Sequence, residues 1–478
     1  LLVLSDVHLG NDLVHAVQPD APVRDTDGRD RALASLFDYY REHRQDERPW
    51  RLVIAGDFVD FVGMNVSAPE GDMQTPLDAD DRALGLGSAE DHTIYKLRCV
   101  GRRHADVFAS LARFVQDGNT LVVVRGNHDV DFHWPAVQAE FIAQLALHAP
   151  IDARHIEFSP WFYYEEGRVY VEHGHQYDRY CSHENVLNPV SPGDPRRSQR
   201  SLSDVLLRHV VRPTRGMVET GHEAAGALDY VRFGARLGAG GLWGLASRFA
   251  FAVARLFGIW RSHTTEGALR IHEKHEGRMS ELATVLNLKL EKLRALAQLQ
   301  RPPVTTSFAR LARTCMLDRI LFGLGGFLAL LLAVLLTSAL PHALIACSSV
   351  VAGIVVLNVV LFRGRTDIEP SQELRDHAAL IATLFPAAFI VMGHTHMPEV
   401  HSPDGSPSVY VNLGAWAGHD EDAPGKDATE ARASASRTHL VLRTETDGRA
   451  VAELRVWDAT TGPRRFVSVS ESGATGAA

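Results

Sequence analysis

Two apolar runs, Ile320–Leu340 and Ala343–Phe362, contain no Asp, Glu, Lys or Arg and are separated only by Pro341 and His342. Each is close to the ~20 residues that a helix needs to cross a hydrocarbon core. The pattern predicts a transmembrane hairpin over 320–362 that contacts membrane lipids, with Pro341 and His342 in a tight turn at the far interface. The alternative, a core hairpin of a soluble domain, requires two consecutive uncharged spans in one interior. Arg310, Arg313 and Arg319 precede the pair, Arg363 and Arg365 follow it, and the turn has neither Lys nor Arg. Positive-inside bias then makes this a multi-pass protein of the cytoplasmic (inner) membrane, with both flanks facing the cytoplasm.

A chain of 478 residues is too long for one compact core. Before the hairpin, short apolar runs (Leu1–Leu4, Arg51–Ala55, Thr120–Val124) alternate with helical periodicity over Asp30–Arg44 and Asp106–Gln116. That alternation predicts an α/β fold. Further strands are expected at Tyr164–Glu172, Ala388–Met392, Ser408–Leu413, Thr438–Leu442 and Ala450–Trp457. The expected organisation is an α/β domain in two parts, 1–200 and 363–467, interrupted by a helical insertion at 201–319 and the hairpin at 320–362, with a small polar tail at 468–478. Within the insertion, Leu242–Trp260 is apolar but places Arg248 and Arg255 seven residues apart on one face, which suits an interfacial membrane helix or a buried helix. The net charge of −9 argues against a stable nucleic-acid partner. Four cysteines far apart, with no Cys-x-x-Cys, exclude a disulfide framework and a thiolate zinc knuckle. The chain opens on Leu1 inside an apparent strand, so residues are expected upstream.

Histidine is abundant, at 24 residues, and what matters is its clustering. Five short polar blocks each follow an apolar strand: Ser5-Asp6-Val7-His8, Gly56-Asp57-Phe58-Val59-Asp60, Arg125-Gly126-Asn127-His128-Asp129, Glu172-His173-Gly174-His175 and Gly393-His394-Thr395-His396. In open α/β sheets ligands bind at the carboxyl ends of strands. Alternation along an extended segment points Asp6 and His8 to one side, and a carboxylate such as Asp57 has two oxygens with which to bridge two cations. Alone, an Asp-x-His is more often surface than site, and a strand-end Asp more often a cap.

The ordered set resembles the calcineurin-like metallophosphoesterase superfamily, with its D-x-H, G-D-x-x-D, G-N-H-D/E, lone H and G-H-x-H pattern, over roughly residues 1–180 and 375–420. The resemblance implies a metallophosphoesterase-type αββα sandwich and two divalent metal ions (Mn, Fe or Zn). It implies that Asp6, His8 and His396 hold one metal, that Asn127, His173 and His394 hold the other, and that Asp57 bridges them. His128 is then the catalytic residue facing the phosphate, with Asp129 orienting its imidazole; Asp60 and Asn412 shape the surrounding loops.

Imidazole and carboxylate without thiolate suit Mn, Fe or Zn and disfavour a purely structural zinc. Two such ions polarise a phosphoryl group and activate a bridging water for in-line attack, and His128 can assist the leaving group near neutral pH. His175, Tyr177, Asp178 and His183 could line the substrate mouth or be solvated loop residues, and His133 and Trp134 are similarly placed. The expected activity is therefore phosphoester hydrolysis, of a diester or monoester, on a lipid-linked, nucleotide or other membrane-proximal substrate. Two alternatives stand beside it. Gly174-His175-Gln176-Tyr177-Asp178 and Gly393-His394-Thr395-His396-Met397-Pro398 look similar to the branch that cleaves the pyrophosphate of UDP-diacylglucosamine in lipid A synthesis, although that branch carries Arg where this chain has His128. The other is a non-catalytic metal-binding scaffold. Metal identity, natural substrate and oligomeric state are not encoded in the pattern.

Overall fold

In the computed structural model the described residues are 1–14, 27–69, 71–214, 236, 238–336, 340–362, 370–402, 407–417 and 437–466. The tail expected at 468–478, and Arg363 and Arg365, lie outside them.

The first sheet is built from β1 (Leu2–Leu4), β2 (Arg51–Ala55), β3 (Thr120–Val124) and β4 (Ile156–Ser159), all parallel, with β10 (Thr438–Thr444), β11 (Ala450–Asp458) and β12 (Gly462–Arg465) added antiparallel in the order β12-β11-β10-β1-β2-β3-β4. The second contains β5 (Phe162–Glu165), β6 (Val169–Glu172), β7 (Phe389–Met392), β8 (Glu399–His401) and β9 (Val409–Asn412) in the order β5-β6-β7-β9-β8. Its central strands β6, β7 and β9 are parallel. The strand expected over Tyr164–Glu172 is instead a hairpin, because Gly167 takes φ +71° and turns the chain between β5 and β6.

Alternating residues of β1 to β3 divide between two interiors. Val3, Val53, Val122 and Val124 pack against Val169, Val171, Val391 and Val411, so the sheets stack face to face. Leu2, Leu52, Ile54 and Leu121 face outward, onto the helices Asp27–Glu42, Ala105–Gln116 and Pro135–Ala146. The outer face of the second sheet, with Tyr170, Ile390 and Tyr410, is covered by Glu266–Val285, Leu290–Leu299 and Pro370–Leu384. The result is the expected αββα sandwich.

The compact units part at 303/304 and 369/370, not at 200/201 and 319/320. The helices at 266–299 belong to the sandwich because Met279, Leu293 and Leu296 fill its second core. The other unit, Val304–Glu369, contains helices Phe308–Thr314, Leu317–Leu336 and Leu340–Phe362. The second apolar helix starts at Leu340, so Pro341 and His342 stand in its first turn rather than forming the connection; proline is tolerated there because the first-turn N–H has no intrahelical partner anyway. None of Leu317–Leu336 is buried, and a Cβ on Gly326 would meet Ile354 Cδ1 at 2.8 Å, a close approach of the two helices. By length and composition, Gly240–Ser262 and Leu317–Leu336 can cross a membrane, while Leu344–Leu357 forms a shorter apolar stretch.

Candidate metal centre

The loops after β1, β2 and β3 of one sheet and after β6 and β7 of the other carry the five polar blocks, and they bring them together. His8 Nε2 lies 3.3 Å from His396 Nε2, and Asp6 Oδ1 is 3.2 Å from His396 Nε2. Across from them, His173 Nε2 is 3.0 Å from Asn127 Oδ1 and 3.2 Å from Asp57 Oδ2. Asp57 Oδ2 is also 3.8 Å from His8 Nε2, which places this carboxylate between the two groups. His394 lies beside the second group, its ring centroid 5.3 Å from that of His173.

Alternation is not what aims Asp6 and His8 at one point. Both have left-handed backbones (φ 54° and 51°), as do Asp57 (54°), His394 (70°) and His396 (60°). Such conformations are uncommon outside glycine and cost on the order of 1–3 kcal/mol each, and they cluster at functional sites. The backbone of Asp6 and His8 is held by N–H donation to the carbonyls of Gly56 and Asp57, and Arg29 donates to the carbonyls of Val7 and His8 at 3.2 Å. Asn412 Nδ2 donates to Gly393 O at 2.9 Å and to Thr395 Oγ1 at 3.0 Å, shaping the loop that carries His394 and His396.

The residues fit divalent cations. Asp6 Oδ1 is buried and faces His396 Nε2 at 3.2 Å without an aligned hydrogen bond, and a buried carboxylate oxygen left so is costly unless a cation joins the two. His173 Nδ1 donates to Ala55 O at 2.9 Å, which leaves Nε2 as the nitrogen facing Asn127 and Asp57. Burial opposes charge on His173, yet Asp57 and Asp6 hold its pKa up at about 10. The same negative field would stabilise a bound cation. Burial likewise pushes the Asp129 carboxyl up to about 7, with the Asp57 charge adding to it. Asp6, His8 and His396 form one group able to hold a metal, and Asp6, Asp57 and His173 another.

The imidazole expected to lean on Asp129 leans on Asp60: His128 Nδ1 is 2.7 Å from Asp60 Oδ1. Asp129 instead accepts from Phe58 N at 2.8 Å and Gly126 N at 2.6 Å, so it ties the second block to the third. Gly126 is required less for a turn than for space, since a Cβ there would run into the Asp57 carboxylate. Asp178 is buried, with Oδ2 at 3.2 Å from His394 Nε2; with Cys181 and His394 it forms a further cluster of ligating atoms.

His175, Tyr177 and His183 are buried rather than lining an open mouth. His175 and His183 border a cavity of about 10 Å³ next to His173, and Tyr177 stacks on His377 at 4.6 Å. Trp134 donates to Ser198 Oγ at 3.1 Å, and His133 borders a larger cavity outside the centre. Arg29 and Arg212 had no local signal in the sequence: Arg212 reaches within 3.8 Å of Asp60 Oδ2 from 152 residues away, and only folding pairs them.

No curated protein matches the chain. The family model described as calcineurin-like phosphoesterase matches residues 1–237, a family of metal-dependent phosphoester hydrolases that bind divalent ions. The match covers the first four polar blocks, while the αββα stacking brings the fifth block, beyond the matched residues, to the same strand ends. Residues 1–237 thus match the calcineurin-like phosphoesterase family, which supports the metallophosphoesterase superfamily for this chain.

Proposed function

We propose that this chain is a membrane-anchored phosphoesterase that uses two divalent ions, Mn, Fe or Zn. Asp6, His8 and His396 would hold one ion, Asn127, His173 and His394 the other, and Asp57 would be shared. The observation that carries the reading is the placement of Asp57 Oδ2 between His8 Nε2 (3.8 Å) and His173 Nε2 (3.2 Å). Bound there, divalent ions would supply Lewis-acid polarisation of the phosphoryl group and a water acidic enough to ionise near neutral pH.

The chain's own groups would do the rest. Asp57 Oδ1 accepts from His128 N at 2.9 Å, which fixes the backbone of the third block against the shared carboxylate. The contact of Asp60 Oδ1 with His128 Nδ1 favours the proton on Nδ1 and sets the direction of Nε2. With a second proton on Nε2, His128 would donate to the leaving oxygen of a phosphodiester or monoester and return to the neutral ring with its Nδ1 proton on Asp60's side, a contribution of about 10²–10⁴-fold. The buried loops around Asp6, Asp57 and His173 keep bulk water from competing for the ligand atoms.

The apolar helices of residues 317–362 support insertion of this segment in the cytoplasmic membrane, and the arginines before it support a catalytic unit that faces the cytoplasm. A membrane-proximal, lipid-linked or nucleotide phosphoester follows as the substrate class.

Purified full-length protein with added Mn²⁺ should hydrolyse an aryl phosphodiester or monoester. Asp57→Asn should lower turnover by at least about 10³-fold, because it removes a charge shared by both ions. Inertness of the Mn²⁺-loaded protein on monoesters and diesters alike would sink the enzyme reading and favour a binding scaffold.

A further inference from the structure

A second cavity, of about 270 Å³, opens on the sandwich and is bordered by Arg125, Arg278, His133 and Glu281 together with the apolar Phe132, Phe158, Leu187, Leu282 and Val285. Arg125 is buried, and its guanidinium donates to the carbonyls of Pro160 and Val186, while Nη1 has no hydrogen-bond partner. Arg278, exposed at the rim, donates to Leu187 O at 2.8 Å and contacts His133 at 3.2 Å. Among the described residues no carboxylate forms an ion pair with either guanidinium. The nearest acids are Asp129, whose oxygens are committed to the N–H groups of Gly126 and Phe58, and Glu281, exposed on the rim.

Two guanidinium groups border this largely apolar-walled cavity, and Glu281 on its exposed rim makes an ion pair with neither, so an anion between them would meet two positive charges that have no ion-pair partner among the described residues.

We propose that this cavity binds the anionic head of a small amphiphile, a phosphate or carboxylate carrying an alkyl group. Arg125 and Arg278 take the head, and Phe132, Phe158, Leu282 and Val285 take the alkyl part. A guanidinium offers a planar pair of donors suited to both oxyanions, and His133, held neutral by burial and the neighbouring arginines, adds polarity without a third charge. The cavity lies in the loop-and-helix wall around β3 and β4, and its residues include none of the proposed metal ligands.

Calorimetric titration of the full chain, stripped of metal by chelation so that phosphate has no cation to meet, tests this independently of the metal centre. Butyl phosphate or butyrate should bind saturably, and n-butanol should bind at least about tenfold more weakly. Which of the two acids binds tighter identifies the head. Arg278→Met should weaken that binding about tenfold or more, Glu281→Gln should tighten it about two- to fivefold by removing a competing charge, and Asp57→Asn should leave it unchanged. Because Arg278 also ties down the Leu187 carbonyl, Val285→Trp at the exposed rim serves as a second variant that obstructs the cavity and keeps those bonds. Absence of saturable binding, equal binding of n-butanol, or full affinity in Val285→Trp would overturn the proposal. A substrate test that failed while this binding persisted would remove only the phosphoesterase reading.

Discussion

The proposed ligand atoms gain their direction from neighbours that lie far off in sequence. His394 is the plainest case: the carboxylate of Asp178, itself fixed by accepting from Tyr180 N at 2.8 Å, takes the Nε2 side of the ring. A carboxylate there holds the Nε2–H tautomer and leaves Nδ1 as the nitrogen with a lone pair for a cation, an outer contact of a kind whose loss costs about 10–100-fold in metal affinity. Asp178→Ala should therefore weaken binding of one of two metal equivalents by that factor, read by metal content after dialysis against graded chelator. Two equivalents held as tightly as in the unaltered chain would show that Asp178 does not position His394. The residue types of the seven proposed ligands are legible from their motifs. That Asp60 and not Asp129 meets His128 was not, because both are acids within reach in sequence and only the fold decides which faces the ring.

Among the elements, strand-end placement was readable because apolar runs of four or five residues stop at polar blocks. Three helices that cover the sheets, Glu90–Arg103, Pro135–Ala146 and Pro370–Leu384, were not anticipated. Glu90–Arg103 hides its character because its buried face includes His92, Thr93 and Lys96 beside Leu97 and Val100. Lys96 is fully buried and donates to Phe61 O at 2.7 Å, and burial pushes its pKa down to about 7. Its folded-state pKa lies below the unfolded value of 10.5, so between about pH 7 and 10.5 the unfolded chain holds a proton that the folded chain has released. Stability contributed by this site thus rises with pH across that window, and the full penalty applies below it. Lys96→Met should flatten the rise by on the order of 2–4 kcal/mol, measured as denaturant midpoints at pH 6.5 and 9.5 in both proteins. Parallel pH profiles in the two proteins would rule Lys96 out as the source.

At the scale of the whole molecule, one sandwich is interrupted in sequence by a unit of different chemistry. The chain leaves the sandwich at Pro303 and rejoins it at Pro370, and the proposed ligands His394 and His396 lie beyond that return. The full chain should float with phosphatidylcholine vesicles in a density gradient and resist extraction by high salt or carbonate, as a helix inserted in hydrocarbon does and a surface-bound one does not. Release by carbonate would leave Gly240–Ser262, with Trp243 and Phe251 exposed, as the element that meets lipid from the surface. The sequence by itself determined the parts: the α/β class, the five polar blocks at strand ends, and two uncharged apolar stretches. These follow from local patterning, in which period, charge and strand length are properties of neighbouring residues. Only the tertiary structure decided that two stacked sheets bring the blocks to one place and that five of the seven proposed ligands take left-handed backbones. It alone placed the helices of residues 266–299 in the sandwich core and set Arg125 and Arg278 around one cavity. Those outcomes depend on which distant surfaces pack together, and the free energy of packing is shared across the fold rather than written in any one segment.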